Sequence, residues 1–283
     1  MAFENVKEFI QTGDGSAGAL LIPKLILPPL IQAVDKALIP REMAAIVKSG
    51  FEGSSFNMNL VTPNSNQVRV VAEGAEIPYD AISFTSVTFT PKKYGVSVQI
   101  TREMLEDAQF DVLSANLMEV GRRFADNETN LILTALDGAN TTVAGGAAIT
   151  IANITAADLA INDQDYNATD LLIGNEVLSD LMNIDTFVEA DKAGNTEMMS
   201  RGFIGNIFGK RVAKFSTNAA PSATYSKYAY MFDRAQAYGI AIKRDITVEN
   251  FTNPLRDMEG AAITQRLDVQ LLRSKAICKI TTS

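Results

Sequence analysis

The chain has no histidine, no tryptophan and a single cysteine among its 283 residues. Without imidazole there is no His-dependent catalytic triad, no His-ligated metal and no side chain that ordinarily titrates near neutral pH. One cysteine allows neither an internal disulfide nor a cysteine zinc cluster. That residue, Cys278, stands in the apolar run Ala276-Ile277-Cys278, which marks it as a small buried hydrophobe rather than a reactive thiol. Long apolar runs are missing too. The greasiest segment, residues 19–34, is broken by Pro23, Lys24, Pro28 and Pro29, too interrupted to span a bilayer. Met1-Ala2-Phe3-Glu4 shows no basic region followed by an apolar stretch, so no signal peptide is expected. The expectation is a soluble chain made in the cytoplasm, with no membrane partner.

Positive charge is also in short supply. Lys and Arg number 25 against 33 Asp and Glu, a net charge of −8. That balance argues against an electrostatic grip on nucleic acid or on an anionic membrane, because both need concentrated positive charge. It does not exclude a protein that encloses nucleic acid. The apolar fraction of 47% with 20% charged residues is that of a globular protein. The length suits one large domain or two modest ones.

Motifs that could carry chemistry fail in context. Gly13, Gly15 and Gly18 have dinucleotide-loop spacing, but no strand precedes them and Pro23 interrupts the helix that should follow. Asp163, Asp165 and Asn167 match the start of a calcium loop, yet Ala168 replaces the required glycine and Gly174 the bidentate glutamate. Glu73 and Glu76 lie on a Gly/Pro loop tip with nothing to form a pocket. Lys210, Arg211 and Lys214 lack interleaved aromatics for base stacking. No catalytic, cofactor or metal-binding residue is assigned, and no cofactor is expected.

The patterning divides the chain into textures. Residues 1–22 read as a mobile arm, and residues 25–47 as two short helices broken at Pro28, Pro29 and Pro40. Gln67 to Val71 reads as a strand, Glu73 to Pro78 as a loop tip, and Ile82 to Phe89 as a returning strand. Tyr94 to Ile100 alternates as a third strand. A ribbon of this kind has little core of its own and must lie on its own domain or on a neighbouring subunit.

Thr101 can cap one helical turn and Asp111 a longer helix, with Leu113, Leu117, Val120, Phe124 and Leu131 on one face, ending before Asp137-Gly138. Between residues 101 and 137, three arginines face eight carboxylates, read as a solvated helix face. From 139 the texture becomes mixed. Ala139 to Ala148 reads as loop, Asp158-Leu159 opens a short helix, Leu171 to Ile173 is a buried strand, and Glu176 to Met182 is a helix. Strands are expected at Gly205 to Val212, Tyr228 to Phe232, Gly239 to Lys243, Ile246 to Val248, Ala262 to Thr264 and Ala276 to Ile280.

Several runs together resemble one family. They are Val71-Ala72-Glu73-Gly74-Ala75-Glu76-Ile77-Pro78, then Phe84, Val87 and Phe89, then Lys92-Lys93-Tyr94-Gly95-Val96-Ser97-Val98, and Ile100 through Asp107. Later come Leu172-Ile173-Gly174-Asn175, Gly205 to Val212, and Ala237-Tyr238-Gly239-Ile240 through Arg266-Leu267-Asp268 to Ala276-Ile277. In this order the chain resembles tailed-bacteriophage major capsid proteins, over roughly residues 20–283. The resemblance implies an α+β fold with an N-terminal arm and short helices (1–48) and an extended β-hairpin loop (49–98). A peripheral domain with a long spine helix (99–138), an axial domain (139–237) and a return into the peripheral domain (238–283) complete it.

It also implies a structural protein rather than an enzyme, one that self-assembles into hexamers and pentamers of an icosahedral shell around packaged double-stranded DNA. Its partners would be copies of itself, a portal at one vertex, and DNA held without sequence-specific contact. A separate scaffolding protein is expected, because the loop pattern starts near residue 66. An encapsulin-like nanocompartment shell, which shares the fold, is the alternative. The tip residues Glu73, Gly74, Glu76 and Asp80 would lie over an adjacent subunit, with Arg122 and Arg123 as their basic partners at the assembly interface.

Overall fold

The computed structural model describes residues 39–61, 70–77, 83–103, 112–184, 203–253 and 255–282. In chain order its elements are α1 (Ile39–Glu42), β1 (Ile46–Ser49), β2 (Phe56–Val61), β3 (Phe84–Phe89), β4 (Lys92–Thr101), α2 (Val112–Leu136), β5 (Thr141–Ala144), α3 (Ile151–Asn162), β6 (Asp170–Ile173) and α4 (Asn175–Met182). They continue with β7 (Phe203–Ile207), β8 (Lys210–Lys214), β9 (Tyr228–Phe232), β10 (Tyr238–Asn253), β11 (Met258–Leu271) and β12 (Ile277–Thr281). The fold is α+β, with sheets of order β1-β10-β11-β4 and β5-β12-β9-β6-β8-β7 and a separate two-stranded ribbon, β2-β3. The chain divides into two units, one holding residues 94–126 and 246–265, the other residues 39–93, 127–245 and 266–283.

In the first unit the N-terminal part of α2 packs Leu117, Val120 and Phe124 around Ile263, with Tyr94, Val98, Ile246 and Val248 against them. This is the helix face expected from the spacing, because residues three and four apart project to one side. Thr247 and Thr264 join their hydroxyls at 3.1 Å across β10 and β11. Gly260 is required by close approach: a Cβ there would lie 2.6 Å from the Val98 carbonyl oxygen.

The second unit is built on the six-stranded sheet. Its central strand β6 is buried at every position, because it runs between β8, parallel, and β9, antiparallel. A continuous apolar run is what a strand covered on both faces demands. On one side, Ile154, Ala157 and Ile161 of α3 and Val177 and Leu181 of α4 join Leu171, Ile173, Val212, Met231, Cys278 and Ile280 in one core. Helix α3 begins where Thr150 supplies a capping box. The Asn153 amide donates to Thr150 Oγ1 at 3.3 Å, and the Thr150 amide donates to Asn153 Oδ1 at 2.9 Å.

Several local expectations are corrected. The partner of Phe84–Phe89 is Phe56–Val61, in the register Phe56↔Phe89 to Val61↔Phe84. Val70 and Val71 lie outside any strand. The alternation Phe56-Asn57-Met58-Asn59-Leu60 is the better period-2 signal. Ile46–Ser49 is a strand paired in parallel to β10, not helix, as its β-branched Ile46-Val47 favours. Residues 141–144 form β5, recruited by β12. The helix expected at Asp158 starts at Ile151, because Thr150 caps it. Gly205 to Val212 is two strands, β7 and β8, joined at Phe208-Gly209. Segments around 239–243 and 246–248 are one strand, β10. On α2, Leu131 is half-buried, while Ile132, Leu133 and Leu136 are buried. The proposed arm, and most of the two helices placed in residues 25–47, lie outside the described residues.

Gly174, the N-cap of α4, has no room for a side chain. A Cβ there would sit 2.3 Å from the Ser226 carbonyl oxygen and 2.7 Å from that of Tyr225. These are backbone atoms and cannot swing aside. Gly174→Ala is expected to destabilise the chain by about 1–3 kcal/mol, read as a lower urea midpoint; an unchanged midpoint contradicts this packing.

Candidate assembly interface

The ribbon β2-β3 buries its side chains at one end and exposes them at the other. Phe89 is 2% exposed, and its ring lies beside Phe56 at 5.9 Å, which in turn meets Phe51 at 5.7 Å. Just after the ribbon, the Thr90 amide donates to Asp268 Oδ2 at 2.7 Å, and Arg266 Nη2 donates to the Pro91 carbonyl at 3.3 Å. Arg273 Nη2 donates to the Val61 carbonyl at 2.7 Å, and Lys243 Nζ to that of Gly53. These bonds fix the ribbon's path within its own unit without covering its side chains.

At the far end the directly opposed pair Val61 and Phe84 is 52% and 65% exposed. Val70, Val71 and Ile77, in the segment between the two strands, are exposed as well. Single exposed apolar residues are ordinary on a surface, but several large ones in one segment mark an interaction site. The turn at Ala72–Ala75 closes with the Ala75 amide on the Ala72 carbonyl at 3.0 Å. Gly74 takes φ +79°, a left-handed conformation that favours glycine at the third turn position. Glu73, Gly74 and Glu76 are all exposed. Asp80 lies outside the described residues.

Arg122 and Arg123 are exposed on α2. Arg123 Nε meets Glu119 Oε1 at 3.3 Å, an i,i+4 pair with both side chains more than half exposed, which is worth little in water. Among the described residues neither Arg122 nor the carboxylates of Glu73 and Glu76 enter an ion pair. The turn belongs to one unit and the two arginines to the other. A union of these charges between two copies is therefore a matter for proposal.

Elsewhere the titratable groups have structural duties. Glu128, expected on a solvated helix face, is 1% exposed. It accepts both Arg41 Nε and Arg41 Nη2, each at 2.6 Å. The solvated reading fails there because α2 turns this position toward α1, where Arg41 supplies a bidentate partner. Tyr238 donates its hydroxyl to the Pro40 carbonyl beside it, and complete burial pushes that phenol well above its ordinary pKa. Asp170, fully buried, pairs with Arg211 and accepts from Thr169 Oγ1 at 2.7 Å. Lys210 pairs with Asp158 at 2.9 Å, so much of the small basic cluster is neutralised.

Burial pushes the Cys278 thiol up to about 11, far from a nucleophile's range. The Asp163–Asn167 stretch ends α3, where the Gln164 amide returns to Ile161 and Asp165 takes φ +62°. Among the described residues no group of three or more His, Cys, Asp or Glu is placed to hold a metal ion.

The sequence profile of the Phage capsid family matches residues 18–282. Among solved structures, the chain is similar to one from Microbacterium phage Oxtober96, with 16% identity, 84% of this chain and 90% of that one covered, and a TM-score of 0.63. One from Mycobacterium phage Che8 gives 16% identity, coverage of 81% and 85%, and a TM-score of 0.64. A virus-like particle from Pyrococcus furiosus gives 10% identity, coverage of 91% and 98%, and a TM-score of 0.61. No curated protein matches the chain.

The Arg41–Glu128 pair makes a definite demand on stability. Arg41→Ala strips a buried carboxylate of its guanidinium and is expected to cost about 3–5 kcal/mol. Urea unfolding followed by circular dichroism measures it; a loss under about 1 kcal/mol would mean that the pair is no more than a surface contact.

Proposed function

The chain belongs to the phage capsid family and is a capsid shell protein of the virion, and from that premise we propose that it assembles as hexamers and pentamers into an icosahedral shell enclosing the double-stranded DNA of a tailed phage. The observation that carries the reading is the ribbon end: Val61, Phe84, Val70 and Ile77 are exposed in a single copy, and a neighbouring copy would cover them. Closed rings of identical subunits use heterologous contacts, in which one patch meets a different patch on the next copy. A ribbon whose side chains are left uncovered at one end suits that geometry.

The net charge of −8 supports a shell that surrounds DNA without a strong electrostatic grip on its phosphates. A scaffolding protein and a portal complete the proposed assembly, which takes place in the host cytoplasm. The family's loop, peripheral and axial domains are carried over to residues 49–98, 99–138 with 238–283, and 139–237. In this reading the chain has a structural role and no enzymatic one. Likeness to the Pyrococcus virus-like particle across 91% of the chain favours a second reading, an encapsulin-like nanocompartment. Nuclease-protected DNA inside purified particles separates the two.

At the loop tip, Glu73, Glu76 and Asp80 are proposed to meet Arg122 or Arg123 of an adjacent subunit, setting register and partner choice more than affinity. The double substitution Glu73→Lys with Glu76→Lys reverses the charge of the tip. Sedimentation and circular dichroism are expected to show folded, soluble, unassembled protein. Particles of normal size from this variant would contradict the pairing, and failure of the unaltered chain to form particles would contradict the shell.

A further inference from the structure

The hairpin of β7 and β8 turns through Phe208 and Gly209, both with left-handed backbone at φ +50° and +77°. Two-residue loops with positive φ at both positions favour Asn-Gly or Asp-Gly. A bulky side chain crowds its own backbone in that region and is a genuine outlier there. Phenylalanine is therefore a poor choice for making this turn. Nor does it serve the core: Phe208 is 59% exposed, while Ile207 beside it is buried. A residue that suits neither its backbone nor its packing points to a function held outside the chain.

The surroundings narrow that function. Lys210, two residues on, is paired with Asp158 of α3. The residue after Asp158, Leu159, is 61% exposed. The tip is thus an aromatic ring whose neighbouring lysine in sequence, Lys210, is already neutralised by a helix that carries an exposed apolar side chain of its own. Strand β7 is the last in its sheet, so the hairpin stands at an edge.

We propose that Phe208 is an anchor between copies of this chain, its ring buried in a surface of the neighbouring subunit. The inference rests on the shell reading and adds a contact distinct from the ribbon. Charge selects the occupant. A polyanion would find Lys210 already engaged by Asp158. Copies that each carry −8 repel one another, so an uncharged apolar contact is the kind that holds them together. Aromatic side chains buried at the centre of an interface carry a disproportionate share of its binding energy.

The test uses the full chain with Phe208→Asn and Phe208→Tyr. Asparagine suits the turn, so the isolated Phe208→Asn subunit is expected to melt at the wild-type temperature or above it. Its particle yield by sedimentation should nevertheless fall at least about tenfold where wild type assembles. Phe208→Tyr keeps the ring and should assemble within about twofold of wild type. Wild-type yields from Phe208→Asn overturn the contact alone, and a Phe208→Asn subunit melting well below wild type makes Phe208 a structural residue instead. A wild-type chain that stays monomeric overturns the shell reading, and this contact with it.

Discussion

A two-stranded ribbon has two faces and no interior, so it cannot bury its own apolar side chains. The organisation of the second unit follows from that constraint. Phe89 and Phe56 solve it at the base by packing with Phe51, and Asp268, Arg266 and Arg273 hold the backbone on its path. Val61 and Phe84 leave it unsolved at the other end. A chain that keeps such a pair in water gives up several tens of calories per square ångström of apolar surface. It recovers them when another surface arrives. In the proposed shell, this incomplete burial in one copy would help drive copies together.

That strategy needs a rigid platform, and the six-stranded sheet supplies it. The fully buried β6, the capped α3 and the core around Met231 and Cys278 make a unit with little internal freedom. Arg41 and Glu128 do the corresponding work at α1. A buried ion pair adds little net stability, because desolvation offsets the attraction, but it punishes any alternative arrangement. In a shell protein that selectivity matters, since one misplaced element would be repeated in every copy.

The sequence was most informative where a single physical requirement dominated. Leu171-Leu172-Ile173 could only be a buried strand, and Leu117, Val120 and Phe124 could only be one helix face. Glu73 to Pro78 reads as a loop tip, and the structure puts a turn there with Gly74 in its left-handed position. The family could be read from the order of such segments, and the family match bears it out. Long-range pairing was less visible. Nothing local says that Phe84–Phe89 takes Phe56–Val61 as its partner, or that residues 141–144 become a strand once β12 lies beside them. Glu128 looked like its acidic neighbours on α2 until the fold brought Arg41 to it. Phe208 was hidden inside a segment read as one strand. A Phe-Gly pair between alternating residues, including Ile207 and Val212, is a weak turn signal, because aromatic residues so seldom make that turn.

The most direct measurement is amide hydrogen exchange over residues 56–61 and 84–89, compared between free subunits and assembled particles. Among the described residues the ribbon is a two-stranded sheet with no third strand beside it, so its outward-facing amides should exchange faster in free subunits than in particles. On assembly the amides near Val61 and Phe84 are predicted to slow by about a hundredfold or more, a stabilisation on the order of 2.7 kcal/mol. Equal exchange in the two states would show that the ribbon's exposed end is not where copies meet, and would contradict the account at its centre.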